Sequence, residues 1–293
     1  MTPIGANALA QWPIVAAQAI IFGTAAFEVA LAPRDPGARS PLLRELAPFW
    51  IGLAAVLIAA APVALLTQVS AMAAAPWRTA IAFVPEVLRE THGGRLWIVR
   101  LIAIAAVAAV AFRCADHDRA PAALAAFAAV LILAGALSSH AYDWGLFMVA
   151  MNFLHQAAAS MWAGALLALC YGEYFGDRDP AAHWIHEVAQ RVSTAAGWSV
   201  GALFATGAIL TVRALGFDSS RLLYSAYGRA LIFKIAAFAA AVAVGGYNRY
   251  RLMPNVRERA SRRTLVRLVA VECVFILGVF GLAAMLANTP PVH

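Results

Sequence analysis

Residues 121–139 read PAALAAFAAVLILAGALSS and contain no charged side chain. A bilayer core of about 30 Å is crossed by roughly 20 consecutive apolar residues in an α-helix. This run is therefore long enough to span a membrane, and it predicts one transmembrane helix.

Runs of similar apolar character occur along the rest of the chain, at residues 12–32, 47–73, 95–113, 145–171, 190–214, 226–248 and 264–287. Segments that carry Pro, Gly or charged residues separate them, as expected for loops. With the run at 121–139, they predict an all-α integral membrane protein. We expect a bundle of about eight transmembrane helices that forms a single domain over residues 1–293.

The composition excludes an ordinary water-soluble fold. Apolar residues make up 63% of the chain and charged residues 13%, whereas soluble domains carry about 45–50% and about 25%. The mean hydropathy of +0.75 agrees. The net charge of +7 comes from loop arginines of the kind that orients membrane proteins, so we expect a lipid bilayer and no nucleic acid as partner.

Arginine is concentrated in alternate loops, which share one side of the membrane if the spans alternate. These residues are Arg34, Arg39, Arg44, Arg113, Arg119, Arg178, Arg191, Arg249, Arg251, Arg257, Arg259, Arg262 and Arg263. Because basic loops stay in the cytoplasm, we expect both termini and the His140 loop to face outward.

Two segments are alike in a way that indicates an internal repeat. Residues 94–100 read GRLWIVR and residues 228–234 read GRALIFK, each with Gly, Arg and a second basic residue at the same spacing. Four spans lie between the copies, so the repeat would be a parallel 4+4 arrangement. The alternative is that two helices share an interfacial Gly-Arg start by chance.

The fifth span carries a polar stripe. Its members lie at steps of three, four and seven residues, which places them on one face of a helix: Met148, Met151, Asn152, His155 and Trp162. With a rise of about 1.5 Å per residue, His155 lies about halfway across the membrane. A histidine at that depth is costly and indicates a functional site.

Thioether and imidazole groups suit Cu(I), so these residues are candidate copper ligands together with His140 in the preceding loop. Other candidate donors on the same side are Met72, His92 and Met285. The alternative for the methionines is packing, because Met commonly fills gaps in apolar helices.

Lys234 and Glu272 are the other deep charges, and an ion pair between them would satisfy both in lipid. Lys234 is the sole lysine, and no Walker A motif is present. No nucleophile–base arrangement stands out either, so we expect no enzymatic activity.

Several short motifs resemble the CopD copper-resistance family of bacterial inner-membrane proteins, in order and spacing along the chain. They are Thr91 to Trp97 with Arg100, Ser139-His140-Ala141, His155 with Trp162 and Gly164, Tyr227-Gly228-Arg229 with Lys234, Asn248-Arg249, and Glu272. Asn152 stands where a carboxylate is common in that family, so a bound cation loses this charge compensation.

The resemblance implies copper transport or copper handling at the inner membrane, with a periplasmic CopC-like protein as partner. It carries His140 and His155 over as candidate metal sites. The soft donor set favours Cu(I) over Cu(II). Two alternatives stay open: a haem b electron carrier with histidine ligands on adjacent helices, and a factor that delivers copper to a respiratory enzyme.

Overall fold

The computed structural model describes residues 3–32, 41–175, 182–255 and 259–290. Within these residues eight helices are long and apolar enough to cross a membrane, and no β-strand occurs. They are α1 (Pro3–Ala30), α2 (Pro41–Met72), α3 (His92–Cys114), α4 (Ala120–Leu137), α5 (Leu146–Phe175), α6 (Ala182–Leu215), α7 (Ala226–Tyr247) and α8 (Arg259–Ala287). The predicted all-α membrane fold is confirmed.

The short elements lie between the long helices. They are helices Trp77–Ala80, Val84–Glu90 and Ser219–Tyr224, 3₁₀ turns Ile81–Phe83 and Met253–Asn255, and a π-helical turn Asn248–Leu252. Of the loop arginines that oriented the bundle, Arg34, Arg39, Arg178 and Arg257 lie outside the described residues. The orientation in the membrane stays a prediction.

Helix α1 occupies the centre of the bundle and packs against α2, α4, α5 and α8. It crosses α5 at Gly23 and Gly164, where the two backbones touch. A Cβ atom on Gly23 would lie 1.8 Å from the carbonyl oxygen of Ser160, and one on Gly164 would lie 2.1 Å from the backbone of Gly23. Glycine therefore allows the close contact that holds α1 against α5.

The two ends of the chain meet at one end of the bundle. Asn7 near the start of α1 donates a 2.6 Å hydrogen bond to the side chain of Asn288, just after α8. Thr67 near the end of α2 donates to the same Asn7 side chain at 3.1 Å. We call this end of the bundle the termini end.

Helices α3 and α7 begin in the same way. Thr91 and Ser225 cap them by accepting from the backbone N–H groups of Gly94 and Gly228, at 2.9 and 2.8 Å. Each glycine lies against the carbonyl groups of the short helix that precedes it, Val84–Glu90 or Ser219–Tyr224, where a Cβ would not fit. This likeness agrees with the predicted repeat, which over the whole chain stays a prediction.

Candidate functional site in a polar cavity

A cavity of about 1250 Å³ opens among all eight long helices in the half of the bundle that includes the termini end. Its walls are mostly apolar, but amide side chains from three helices face it: Asn7, Gln11, Gln18, Gln68, Asn152 and Gln156. Asn7, Gln11 and Gln18 follow steps of four and seven residues along α1, so helical spacing could have found them. Asn7 and Gln11 lower the local hydropathy, so the apolar pattern placed the start of this span at residue 12, whereas α1 begins at Pro3.

The amides are joined in part by hydrogen bonds. Gln156 donates to Asn152 at 3.3 Å, and Asn152 donates to the hydroxyl of Ser139 at 2.8 Å. On the other side of the cavity Trp97 donates to Gln68 at 2.8 Å. The cavity wall is therefore tied together across α2, α3, α5 and the loop before α5.

His155 lies on α5 and lines the cavity. Its Nδ1 atom lies 2.9 Å from the Oγ1 atom of Thr206 on α6. The Thr206 hydroxyl donates its one proton to the carbonyl of Ala202 at 2.6 Å, so Nδ1 is the donor to Thr206. This network assigns the proton to Nδ1 and leaves Nε2 with its lone pair, which is the arrangement of a histidine ready to bind a metal.

His140 also lines the cavity, from the loop that joins α4 to α5. Its Nε2 atom is buried and has no hydrogen-bond partner. A buried polar atom without a partner is rare in a native protein and indicates that a ligand or a water molecule binds there. The cavity thus contains two imidazole nitrogens that the protein leaves available, one on each histidine.

The charged side chains at the cavity are basic. Arg100 donates to Ser138 at 2.8 Å and stacks over Trp97, and Lys234 lines the cavity from α7, within electrostatic reach of His155. The two occupy corresponding positions, six residues after Gly94 and Gly228. None of the described residues that line the cavity is an aspartate or a glutamate.

Comparison with known proteins identifies the family. Residues 186–286 match the family described as copper resistance protein D, and residues 1–146 match the family described as the N-terminal domain of copper resistance protein D-like proteins. The chain belongs to the CopD copper-resistance family. This confirms the family predicted from the motifs.

One curated relative of this CopD chain is the copper transport protein CutJ of Bacillus subtilis (strain 168). The two are 29% identical over 255 residues, which are 80% of this chain and 44% of CutJ. The chain thus spans less than half of the length of that relative. No solved structure matches the chain significantly.

The predicted ligands of this CopD chain divide into two groups. His140, His155 and Met72 line the cavity, as do Asn152 and Trp162. The cavity does not include the other four predicted donors, Met148, Met151, His92 and Met285.

Three of the four predicted donors outside the cavity have surroundings that do not resemble a metal site. Met148 packs against the buried cluster of Ala136, Ala141 and Val149 and lines a smaller cavity. The His92 ring bonds to the carbonyl of Leu137 at 3.1 Å and stacks on Tyr142, and Met285 is 42% exposed. These contacts are of the kind that packing residues make, and a role of these residues as ligands stays a prediction.

The ion pair expected between Lys234 and Glu272 does not form. Glu272 is buried and accepts hydrogen bonds from Trp162 at 2.9 Å and from Asn248 at 3.3 Å. A Cβ on Gly245 would lie 2.9 Å from its Oε1 atom, so this glycine makes room for the carboxylate. Helical spacing indicated the depth of Glu272 but not the direction of its side chain. The carboxylate points toward Asn248 and toward Trp162, which lines the cavity.

Within the described part of the chain, no three His, Cys, Asp or Glu side chains come together as a metal site. A copper ion in this cavity would therefore be bound by imidazole with thioether or amide groups, or by a ligand that it brings along.

Proposed function

We propose that this chain carries copper across the bacterial inner membrane through the cavity at the termini end. His140 receives the ion, and His155 binds it about halfway across. The hydrogen bond that fixes His155 through Nδ1 carries the proposal, because it leaves Nε2 free in a cavity that also contains the free Nε2 of His140.

The ligand set supports Cu(I) as the ion. Two imidazoles and the thioether of Met72 line the cavity, and such soft to borderline donors favour Cu(I) over hard cations. The name of CutJ, a copper transport protein, agrees with this cargo. We expect the termini and the His140 loop to face the periplasm, where a CopC-like protein would supply the copper.

Copper accumulation in cells tests transport. Cells that produce the chain should take up more copper than cells without it, and His155→Ala should remove the difference. Met285→Leu is the matched control, because Met285 lies outside the cavity, and it should behave as the natural chain does. Equal copper content in all four strains would contradict transport and would favour a role in delivering copper to another protein.

An absorption spectrum of the purified chain tests the other function considered from the sequence. Two histidines in one cavity are also the ligands that haem b requires. A Soret band that is lost in His155→Ala would contradict the copper proposal and show that the chain binds haem. A spectrum without that band would support the copper proposal.

A further inference from the structure

We propose that copper occupies the cavity together with one soft monovalent anion, a halide or a small thiolate, which the ammonium group of Lys234 holds beside His155. The inference rests on the proposed copper site, and it specifies the form in which the cargo is bound.

Lys234 is the first observation. It lies in α7 and lines the cavity. Its ammonium group makes no hydrogen bond or ion pair with any residue of the described ranges. Charged groups inside a membrane are paired with one another or with backbone carbonyls because an unpaired charge there is costly. We therefore expect a bound anion to pair with the ammonium group of Lys234.

Gln18 is the second and independent observation. Its side chain is 5% exposed, lines the same cavity and likewise makes no hydrogen bond to the described residues. A buried amide that has no protein partner is a group that a ligand can satisfy. It would donate its N–H to an anion in the same space.

The charge balance of the cavity points the same way. Arg100 and Lys234 both line it, and no carboxylate of the described residues does. A Cu(I) ion at His155 would add a third positive charge to the cavity that Lys234 also lines. One anion between Lys234 and the metal makes the copper–anion unit neutral and lowers the net charge of the three positive groups and the anion to +2, and Cu(I) accepts soft anions readily.

The test uses the purified chain, loaded with Cu(I) in sodium bromide and freed of excess salt. X-ray fluorescence gives the bromide and copper content, and X-ray absorption at the copper edge shows whether bromide is a neighbour of the metal. We expect about one bromide per copper. Lys234→Met should lower the bromide content at least tenfold, and Arg229→Met should not, because Arg229 lies at the exposed start of α7, where it bonds to the carbonyl of Tyr224.

A second loading, with one equivalent of a monothiol added to the bromide, distinguishes the two anions. Displaced bromide identifies a thiolate as the preferred partner, and retained bromide identifies a halide. Copper that has neither bromide nor the added thiol as a neighbour in the two loadings would overturn the anion and leave the copper site standing. A chain that binds no copper would overturn both proposals.

Discussion

The Nδ1 atom of His155 lies 2.9 Å from the Oγ1 atom of Thr206, and this contact links α5 to α6 beside the cavity. The Thr206 hydroxyl is itself fixed by its bond to Ala202. One hydroxyl group thereby determines which nitrogen of the histidine carries the proton and how the ring is oriented.

Thr206→Val keeps the shape of the side chain and removes the acceptor. We expect copper affinity to fall by about 10–100-fold, the usual effect of losing the group that orients a metal-binding histidine. Thr206→Ser retains the hydroxyl and should stay close to the natural chain. Competition with a Cu(I) chelator measures both, and equal affinity for the valine and serine variants would contradict this role of Thr206.

Gly207 gives the His155 ring its space. A Cβ at this position would lie 3.3 Å from the Cε1 atom of His155, whereas a Cβ at Gly201 in the same helix meets nothing within 4 Å. Gly207→Ala should therefore displace the ring and weaken copper binding by several-fold, about 1 kcal/mol. Gly201→Ala is the matched control and should bind copper normally. The account of the ring position fails if both variants bind copper equally well.

Gly23→Ala tests the crossing of α1 and α5. The added Cβ would lie 1.8 Å from the carbonyl oxygen of Ser160, and overpacking of this kind costs about 1–3 kcal/mol or more because the backbones must separate. We expect a clearly lower midpoint of thermal unfolding in detergent. Gly52→Ala, which has open space around it in α2, should unfold as the natural chain does, and equal midpoints for the two variants would contradict the close contact.

Glu272 is predicted to act as an acceptor that holds Trp162 and Asn248. Glu272→Ala would leave the Trp162 N–H and the Asn248 amide without partners, at a cost of about 1–3 kcal/mol for each buried group. Glu272→Gln keeps an acceptor for Trp162, so its thermal stability and its copper uptake should stay near those of the natural chain. Loss of uptake in a stable Glu272→Gln variant would indicate that the carboxylate carries protons instead.

The eight spans could be predicted from the sequence because each needs only a long apolar run, and lipid imposes that length on every one of them. The start of α1 could not be placed in this way. Asn7 and Gln11 interrupt the apolar run, and a hydropathy pattern cannot tell a helix that faces a polar cavity from a loop.

The residues that line the cavity could be predicted in part. Helical spacing on α5 identified Asn152, His155 and Trp162, which line the cavity. It also selected Met148 and Met151, since the period of a single helix does not show where the neighbouring helices cover it. The missing ion pair between Lys234 and Glu272 could not be foreseen for the same reason, because the rotation of α7 and α8 about their axes is fixed by packing between helices.

The central claim is that His155 binds the copper. Copper per purified chain, measured after loading with Cu(I) and removal of excess metal, tests it most directly. The account predicts close to one copper for the natural chain and for Met148→Leu, and close to none for His155→Ala. A His155→Ala chain that stays folded and retains as much copper as the natural chain would contradict it.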